Sequence, residues 1–151
     1  MTRTHHERQV PLADYKKPIP KPTPETQDFW DGCKAGELRL QKCNSCANTY
    51  FPPRPFCPGC SSRDVASFKS SGKGTLHSYV INHRAVPGGG FEAEAPYAIA
   101  VVLTNEGTKH MTNIVGIANT PENLKINMPV EVVFEPITDD ISLPLWKPAG
   151  S

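Results

Sequence analysis

Four of the five cysteines stand in two tight pairs, Cys43-x-x-Cys46 and Cys57-x-x-Cys60, with ten residues between the pairs. Two thiolates separated by two residues clamp one side of a tetrahedral metal ion, and a second such knuckle completes the tetrahedron. The set needs no further ligand and leaves no open position for a catalytic water. The spacing therefore predicts a closed structural site for Zn²⁺. Two disulfides or four unrelated thiols are the plainer readings, and the paired spacing argues against both. Tetrahedral sulfur also suits iron, as in an electron carrier, although no companion redox motif accompanies it.

Other residues that could do chemistry form no set. The fifth cysteine, Cys33, falls on the apolar face of a predicted helix, where a thiol is buried and inert. His5 and His6 lie near the start of the chain, and His77, His83 and His110 lie on or beside predicted strands. Each reads as a surface or packing histidine. No Gly-x-Ser-x-Gly elbow, phosphate-binding P-loop or Gly-x-Gly-x-x-Gly fingerprint is present.

The chain of 151 residues suits one ordinary domain or two small ones, and 38% hydrophobic content allows a modest core. Sixteen prolines and eleven glycines favour turns and short strands. Sixteen basic residues against fifteen acidic ones leave a net charge of +1, which gives no field to attract a polyanion. The first residues carry no apolar run that would read as a signal peptide, and the stretch from Pro96 to Leu103 is too short to span a bilayer. Metal-bound cysteines without an export signal point to the cytoplasm.

The elements that must position the cysteines follow from local pattern. Residues 1–22 read as an extended proline-rich arm, with Pro11, Pro18, Pro20 and Pro22 holding it open and Lys16, Lys17 and Lys21 keeping it solvated. It is either a free tail or a strap that orders on a partner subunit. Thr23-Pro24-Glu25 predicts a helix start, with Phe29, Trp30 and Cys33 on one face and Gly36 as the stop. Glu37–Lys42 reads as a strand into the first knuckle and Asn48–Pro52 as the strand out of it. Residues 23–68 thus form a helix plus zinc ribbon. A ribbon of about 25 residues cannot bury enough surface alone, so the metal must supply much of its stability.

Residues 69–148 read as all β. Gly72-Lys73-Gly74 is expected as a turn or bulge before Thr75–Ile81, where Leu76 and Val80 alternate with Thr75, His77 and Tyr79. Gly88-Gly89-Gly90 sits in a long loop. Tyr97–Leu103 is a continuous apolar run suited to a central strand. Asn105-Glu106-Gly107 is a hairpin turn and His110–Ile117 the return strand. Thr120-Pro121-Glu122 opens a short helical turn. Val130, Val132 and Phe134 alternate with Glu131, Val133 and Glu135, and a last strand lies near Ile141–Trp146. Five strands with a helical insertion before the fourth fit an OB-like barrel, with an SH3-like barrel or small sandwich as competitors.

The order Phe29-Trp30, Gly36-Glu37-Leu38, Cys43-x-x-Cys46, Pro52-Pro53-Arg54, Cys57-Pro58-x-Cys60, Gly72-Lys73-Gly74-Thr75, Pro96-Tyr97-Ala98 and Met128-Pro129-Val130 resembles the DUF35 family across about residues 23–148. These are OB-fold proteins with a rubredoxin-like zinc ribbon. The resemblance implies a mainly β fold: an N-terminal helix and zinc ribbon followed by a five-stranded OB-fold barrel. It also implies an accessory subunit without catalytic residues of its own, partnered with a thiolase-like catalytic subunit acting on acyl-CoA. Benzoylsuccinyl-CoA thiolase and steroid retro-aldolase complexes are assemblies of this kind. A heterotetramer of two plus two is the expected stoichiometry, with a coenzyme A thioester as shared ligand. Lys42, Tyr50, Phe51 and Arg54 are the candidate CoA contacts, pairing cations for phosphates with rings for adenine. The plainer reading is that Tyr50 and Phe51 pack the ribbon on the barrel while Arg54 is solvated. His83-Arg84 leads into the glycine loop, which could reach a partner's active-site mouth. A nucleic-acid-binding zinc-ribbon and OB module is the alternative function. The near-neutral charge and 8% aromatic content speak against it.

Overall fold

The computed structural model describes residues 14–150, so the first thirteen residues of the expected arm, including His5, His6 and Pro11, lie outside the described part. In chain order the elements are α1 (Gln27–Lys34), β1 (Arg39–Cys43), β2 (Thr49–Tyr50), β3 (Val65–Lys69), β4 (Lys73–Asn82), β5 (Tyr97–Thr104), β6 (Lys109–Thr112), β7 (Pro129–Pro136) and β8 (Ser142–Pro148). Among the described residues no helix is long and apolar enough to cross a membrane.

Helix α1 starts later than its sequence signal. The Thr23 N–H donates to Thr26 Oγ1 at 2.9 Å and the Thr26 N–H to the Thr23 carbonyl at 3.0 Å. Thr23–Thr26 is thereby closed as a tight turn, with Pro24 at the position where turns favour proline. The far end behaves as expected. Gly36 has φ +78°, its N–H reaches the Cys33 carbonyl at 3.1 Å, and the Glu37 N–H reaches the Gly32 carbonyl at 2.8 Å. This pair of bonds satisfies the last carbonyls of the helix and needs a left-handed residue, which glycine provides without strain.

The strands form two antiparallel sheets. The ribbon sheet has the order β2-β1-β3, and the larger sheet has the order β6-β5-β4-β7-β8. A parallel bridge between Ile114 and Trp146 draws the two ends of the larger sheet together. The Val115 N–H donates to the Trp146 carbonyl at 2.8 Å at that seam. Closure of five strands in this order makes the sheet an OB-like barrel. Strand β4 serves both halves of it. Gly74 lies opposite Thr104 of β5 and Val130 of β7, and a Cβ there would stand 2.4 Å from the Leu103 carbonyl oxygen. The glycine expected in a turn is thus inside the strand, where the neighbouring backbone comes too close for any side chain.

Two local expectations change. Leu76 lies opposite Val102 and Ser78 opposite Val101, so His77 is an extra residue bulged out of the ladder. A one-residue bulge reverses the facing of everything after it. Val80, expected to share the core face with Leu76, is 57% exposed, while Tyr79 and Ile81 pack inward. The return strand is Lys109–Thr112, shorter than His110–Ile117, because the chain leaves the β5 ladder there to reach the Trp146 seam. The Thr120 segment is the expected single helical turn, with the Leu124 N–H on the Thr120 carbonyl at 2.9 Å and the Asn123 N–H capped by Thr120 Oγ1 at 3.3 Å.

One core joins these parts. Phe29 and Cys33 of α1, Leu38 just before β1 and Leu40 of β1 pack with Leu76, Ala98, Ala100, Val102, Ile114, Leu124, Val130 and Trp146 of the barrel domain. The ribbon has only a small cluster of its own, formed by Cys43, Tyr50 and Cys57 with Val65 against it. Residues 14–22 lie on their own chain. Lys17 pairs with Glu94 and sits 4.7 Å from the Phe91 ring centroid, and Pro20 to Pro22 border a hollow beside α1 and Asp140.

Candidate metal centre

The two cysteine knuckles are local copies of each other. The Ala47 N–H donates to the Cys43 carbonyl, and the Ser61 N–H to the Cys57 carbonyl, both at 2.9 Å. Ala47 and Ser61, each just after the second cysteine of its pair, have φ of 63° and 64°. Left-handed backbone at a residue other than glycine is held only where the surroundings demand it, and here it aims both cysteines of a pair at one point. Strand β1 ends on Cys43 and pairs it with Val65 of β3. Cross-links between the knuckles fix their separation: Asn44 Nδ2 to Asp64 Oδ1 at 2.9 Å, and the Ser45 and Ser62 hydroxyls at 2.8 Å.

The four sulfurs lie within 4.8 Å of one another, with Cys43–Cys60 and Cys46–Cys57 separations of 3.6 Å. Ligands about 2.3 Å from a tetrahedral zinc ion stand about 3.8 Å apart, so the set fits that ion. Its electrostatics agree. Burial works against the Cys57 thiolate, but the N–H groups of Cys60 and Gly59 and the Cys46 and Asn48 side chains outweigh it and bring its pKa down to about 6. The Asn48 N–H favours the Cys46 thiolate, yet the crowd of neighbouring sulfurs pushes that thiol up to about 12. Four thiolates this close require a cation to neutralise them. When bound, the metal supplies that charge and ties the two knuckles together. With all four positions filled by protein it offers no site to a substrate.

Cys33 is fully buried, and burial pushes its pKa up to about 12, which leaves an inert thiol. His110 is 5% exposed and held neutral, its pKa lowered to about 4 by burial. Its Nε2 meets Thr108 Oγ1 at 2.8 Å, and its ring lies 4.1 Å from Phe51. His77, at the bulge, and His83, just after β4, are exposed and lie apart from it.

The four residues singled out as CoA contacts separate by role. Tyr50 is 6% exposed in the ribbon core, and its hydroxyl donates to the Arg54 carbonyl at 3.4 Å. Phe51 is the joint between the units: its ring lies 5.2 Å from Phe29 of α1 and 4.1 Å from His110 of β6. Lys42 and Arg54 are exposed. Lys42 borders a groove of about 530 Å³ with Thr49, Ala66, Phe68 and Glu106.

Glu106 carries no sequence signal beyond its place in a hairpin turn. Its Oε1 accepts from the Ser71 N–H at 2.6 Å and from Ser70 Oγ at 2.9 Å, which latches the link between ribbon and barrel. Those partners are 35 and 36 residues away in sequence, beyond the reach of any local pattern.

Comparison with known proteins follows the same division. Residues 30–66 match the family model described as the ChsH2 rubredoxin-like zinc ribbon domain, and residues 69–135 match the ChsH2 C-terminal OB-fold domain. A Methanocaldococcus jannaschii protein described as a DUF35 domain-containing scaffold protein is 38% identical over 100 residues, 66% of this chain and 68% of that one. A Thermomonospora curvata protein described as a probable enoyl-CoA hydratase alpha subunit is 33% identical over 147 residues. That match takes in 97% of this chain but 44% of the relative, so the chain spans less than half of that protein. A solved structure titled Ltp2-ChsH2(DUF35) aldolase contains a chain superposing with TM-score 0.75 at 33% identity, over 87% of this chain and 99% of that one.

Proposed function

The chain belongs to the DUF35 family of zinc-ribbon OB-fold proteins, and on that premise we propose that it is the non-catalytic subunit of a thiolase-superfamily enzyme that cleaves a carbon–carbon bond in an acyl-CoA. The observation that carries this reading is the match to a chain of the Ltp2-ChsH2(DUF35) aldolase, 99% of which is covered by 87% of this chain. Thiolase chemistry needs an activated cysteine beside an acid/base group. Among the described residues, four cysteines form the metal set and Cys33 is sealed in the core. The catalytic cysteine therefore belongs to the partner. This subunit contributes a rigid surface, in which zinc sets the knuckles and the Phe51–His110 joint sets the ribbon against the barrel.

The shared coenzyme A would meet the exposed side of the ribbon. Lys42, at the edge of its groove, and Arg54 are the cations free to meet phosphates there, whereas Tyr50 and Phe51 shape the surface from within. Hydratase activity, named for the longer Thermomonospora relative, is not assigned to this chain, which covers 44% of that protein. A two-plus-two assembly in the cytoplasm is the form we expect.

The reading is tested by purifying the affinity-tagged full chain from its own host and identifying what accompanies it in stoichiometric amount. The expected companion is a thiolase-superfamily protein whose acyl-CoA cleavage depends on this subunit. A companion that turns over its acyl-CoA at full rate alone overturns the proposal. Metal analysis of the same sample should find one zinc per chain and no colour. A red protein would mean ferric iron in the tetrathiolate and an electron carrier instead.

A further inference from the structure

The bulge at His77 has an outward consequence. After it, Ser78, Val80 and Asn82 of β4 face away from the core, in register with Val101, Ile99 and Tyr97 of β5. Met111 of β6 lies opposite Val101. The outer surface of these three strands therefore presents Val80, Ile99, Val101, Leu103 and Met111. Val80 is 57% exposed and Met111 79% exposed, and the β5 side chains between them are half-buried. An aliphatic strip on the solvent side of a barrel is where antiparallel sheets ordinarily turn polar.

The charge on this face is one-sided. Strands β4, β5 and β6 contain no Asp or Glu, while Lys109 is exposed on β6 and Lys73 is exposed at the start of β4, where it stands opposite Glu131 of β7. The remaining strands of the same barrel are not like this: β7 carries Glu131 and Glu135, and Lys147 of β8 lies 3.4 Å from Glu131. Two copies of this chain meeting symmetrically through the strip would bring like charges together. Aliphatic side chains offer no platform for stacked bases, and the one ring in the strip, Tyr97, is stacked on Phe91 at 5.1 Å. The complement of the face is an apolar protein surface with carboxylates around it.

We propose that the outer face of β4, β5 and β6 is the docking surface for an acid-rimmed apolar patch of a different protein chain, which, on the function proposed above, is the thiolase-like catalytic subunit. Met111 and Val80 are its apolar anchors. Lys109 steers and aligns the partner from the rim.

The test uses the companion protein that co-purifies with the tagged full chain, and measures its affinity for purified variants that retain their zinc and thermal unfolding midpoint. The double variant V80E/M111E should bind at least about 100-fold more weakly. Lys109→Glu should slow association several-fold at low salt with the difference vanishing at high salt, and Asp139→Lys, at the β7–β8 turn, should bind as the unchanged protein does. Undiminished binding by V80E/M111E to a thiolase-like companion overturns the docking surface and leaves the proposed function standing. Loss of binding to a companion of another class supports the surface and overturns the function. A tagged chain with no companion, a symmetric dimer abolished by V80E/M111E, or tight binding of a single-stranded oligonucleotide that this variant loses, each overturns the surface.

Discussion

Cys57 shows how one side chain does several jobs. It is fully buried, it receives the Gly59 N–H at 3.3 Å, and it stands 3.6 Å from Cys46 across the site. Cys57→Ser should therefore lose the metal and the ribbon's fold together, which zinc analysis and circular dichroism of the variant would record. His110 predicts a pH effect of definite sign. Its pKa is 6.5 when unperturbed and about 4 in the fold, so the unfolded chain takes up the proton more readily. Its contribution is complete above pH 6.5 and is lost as pH falls toward 4, in total about 3 kcal/mol. Urea unfolding at pH 7 and pH 5 should show a smaller loss of stability for His110→Gln than for the unchanged protein. The same acid range weakens zinc–thiolate bonding in both, so the difference between the two proteins carries the result.

Strand β4 is the element on which the barrel depends. It pairs with β7 at Lys73–Thr75 and with β5 along its length, and Gly74 lets the three backbones meet. Gly74→Ala would drive a methyl group against the Leu103 carbonyl, 2.4 Å from where the Cβ must stand. Since backbone cannot yield as a flexible side chain does, the expected cost is more than about 2 kcal/mol, readable from the urea midpoint. Gly36→Ala is the instructive contrast: its φ is +78° but nothing lies within 4 Å of the added Cβ. The expected cost there is that of left-handed backbone alone, about 1 kcal/mol in the same assay. The bulge at His77 belongs with these features, since it decides which of Tyr79 and Val80 faces the core.

The molecule as a whole is two small units made into one. The ribbon keeps only a short core of its own, and the shared cluster from Phe29 to Trp146 crosses from α1 and β1 into the barrel. Phe51 bridges the crossing between Phe29 and His110, and Glu106 latches the connecting link. Phe51→Ala should cost about 3 kcal/mol. It should also separate unfolding into two steps, with ribbon probes lost before barrel probes, where the unchanged protein shows a single transition. A single transition at a lower midpoint would mean that the shared core and the Glu106 latch keep the units coupled without Phe51.

The metal set, the order of the elements and the family could be read from the chain alone, because each rests on contacts between near neighbours or on spacing. A Cys-x-x-Cys pair is aimed by its own turn, and the helix ends at Gly36 through the Gly36 N–H bonding three positions back and the Glu37 N–H bonding five positions back. What the tertiary structure decided depends on residues far apart in sequence. Val80 is outside because a bulge is set by pairing with β5. Phe51 is a joint because His110 arrives beneath it from 59 positions away. Glu106 is a latch for the same reason. An alternating pattern records which residues suit a core, but the pairing of distant strands determines which side of the sheet becomes one.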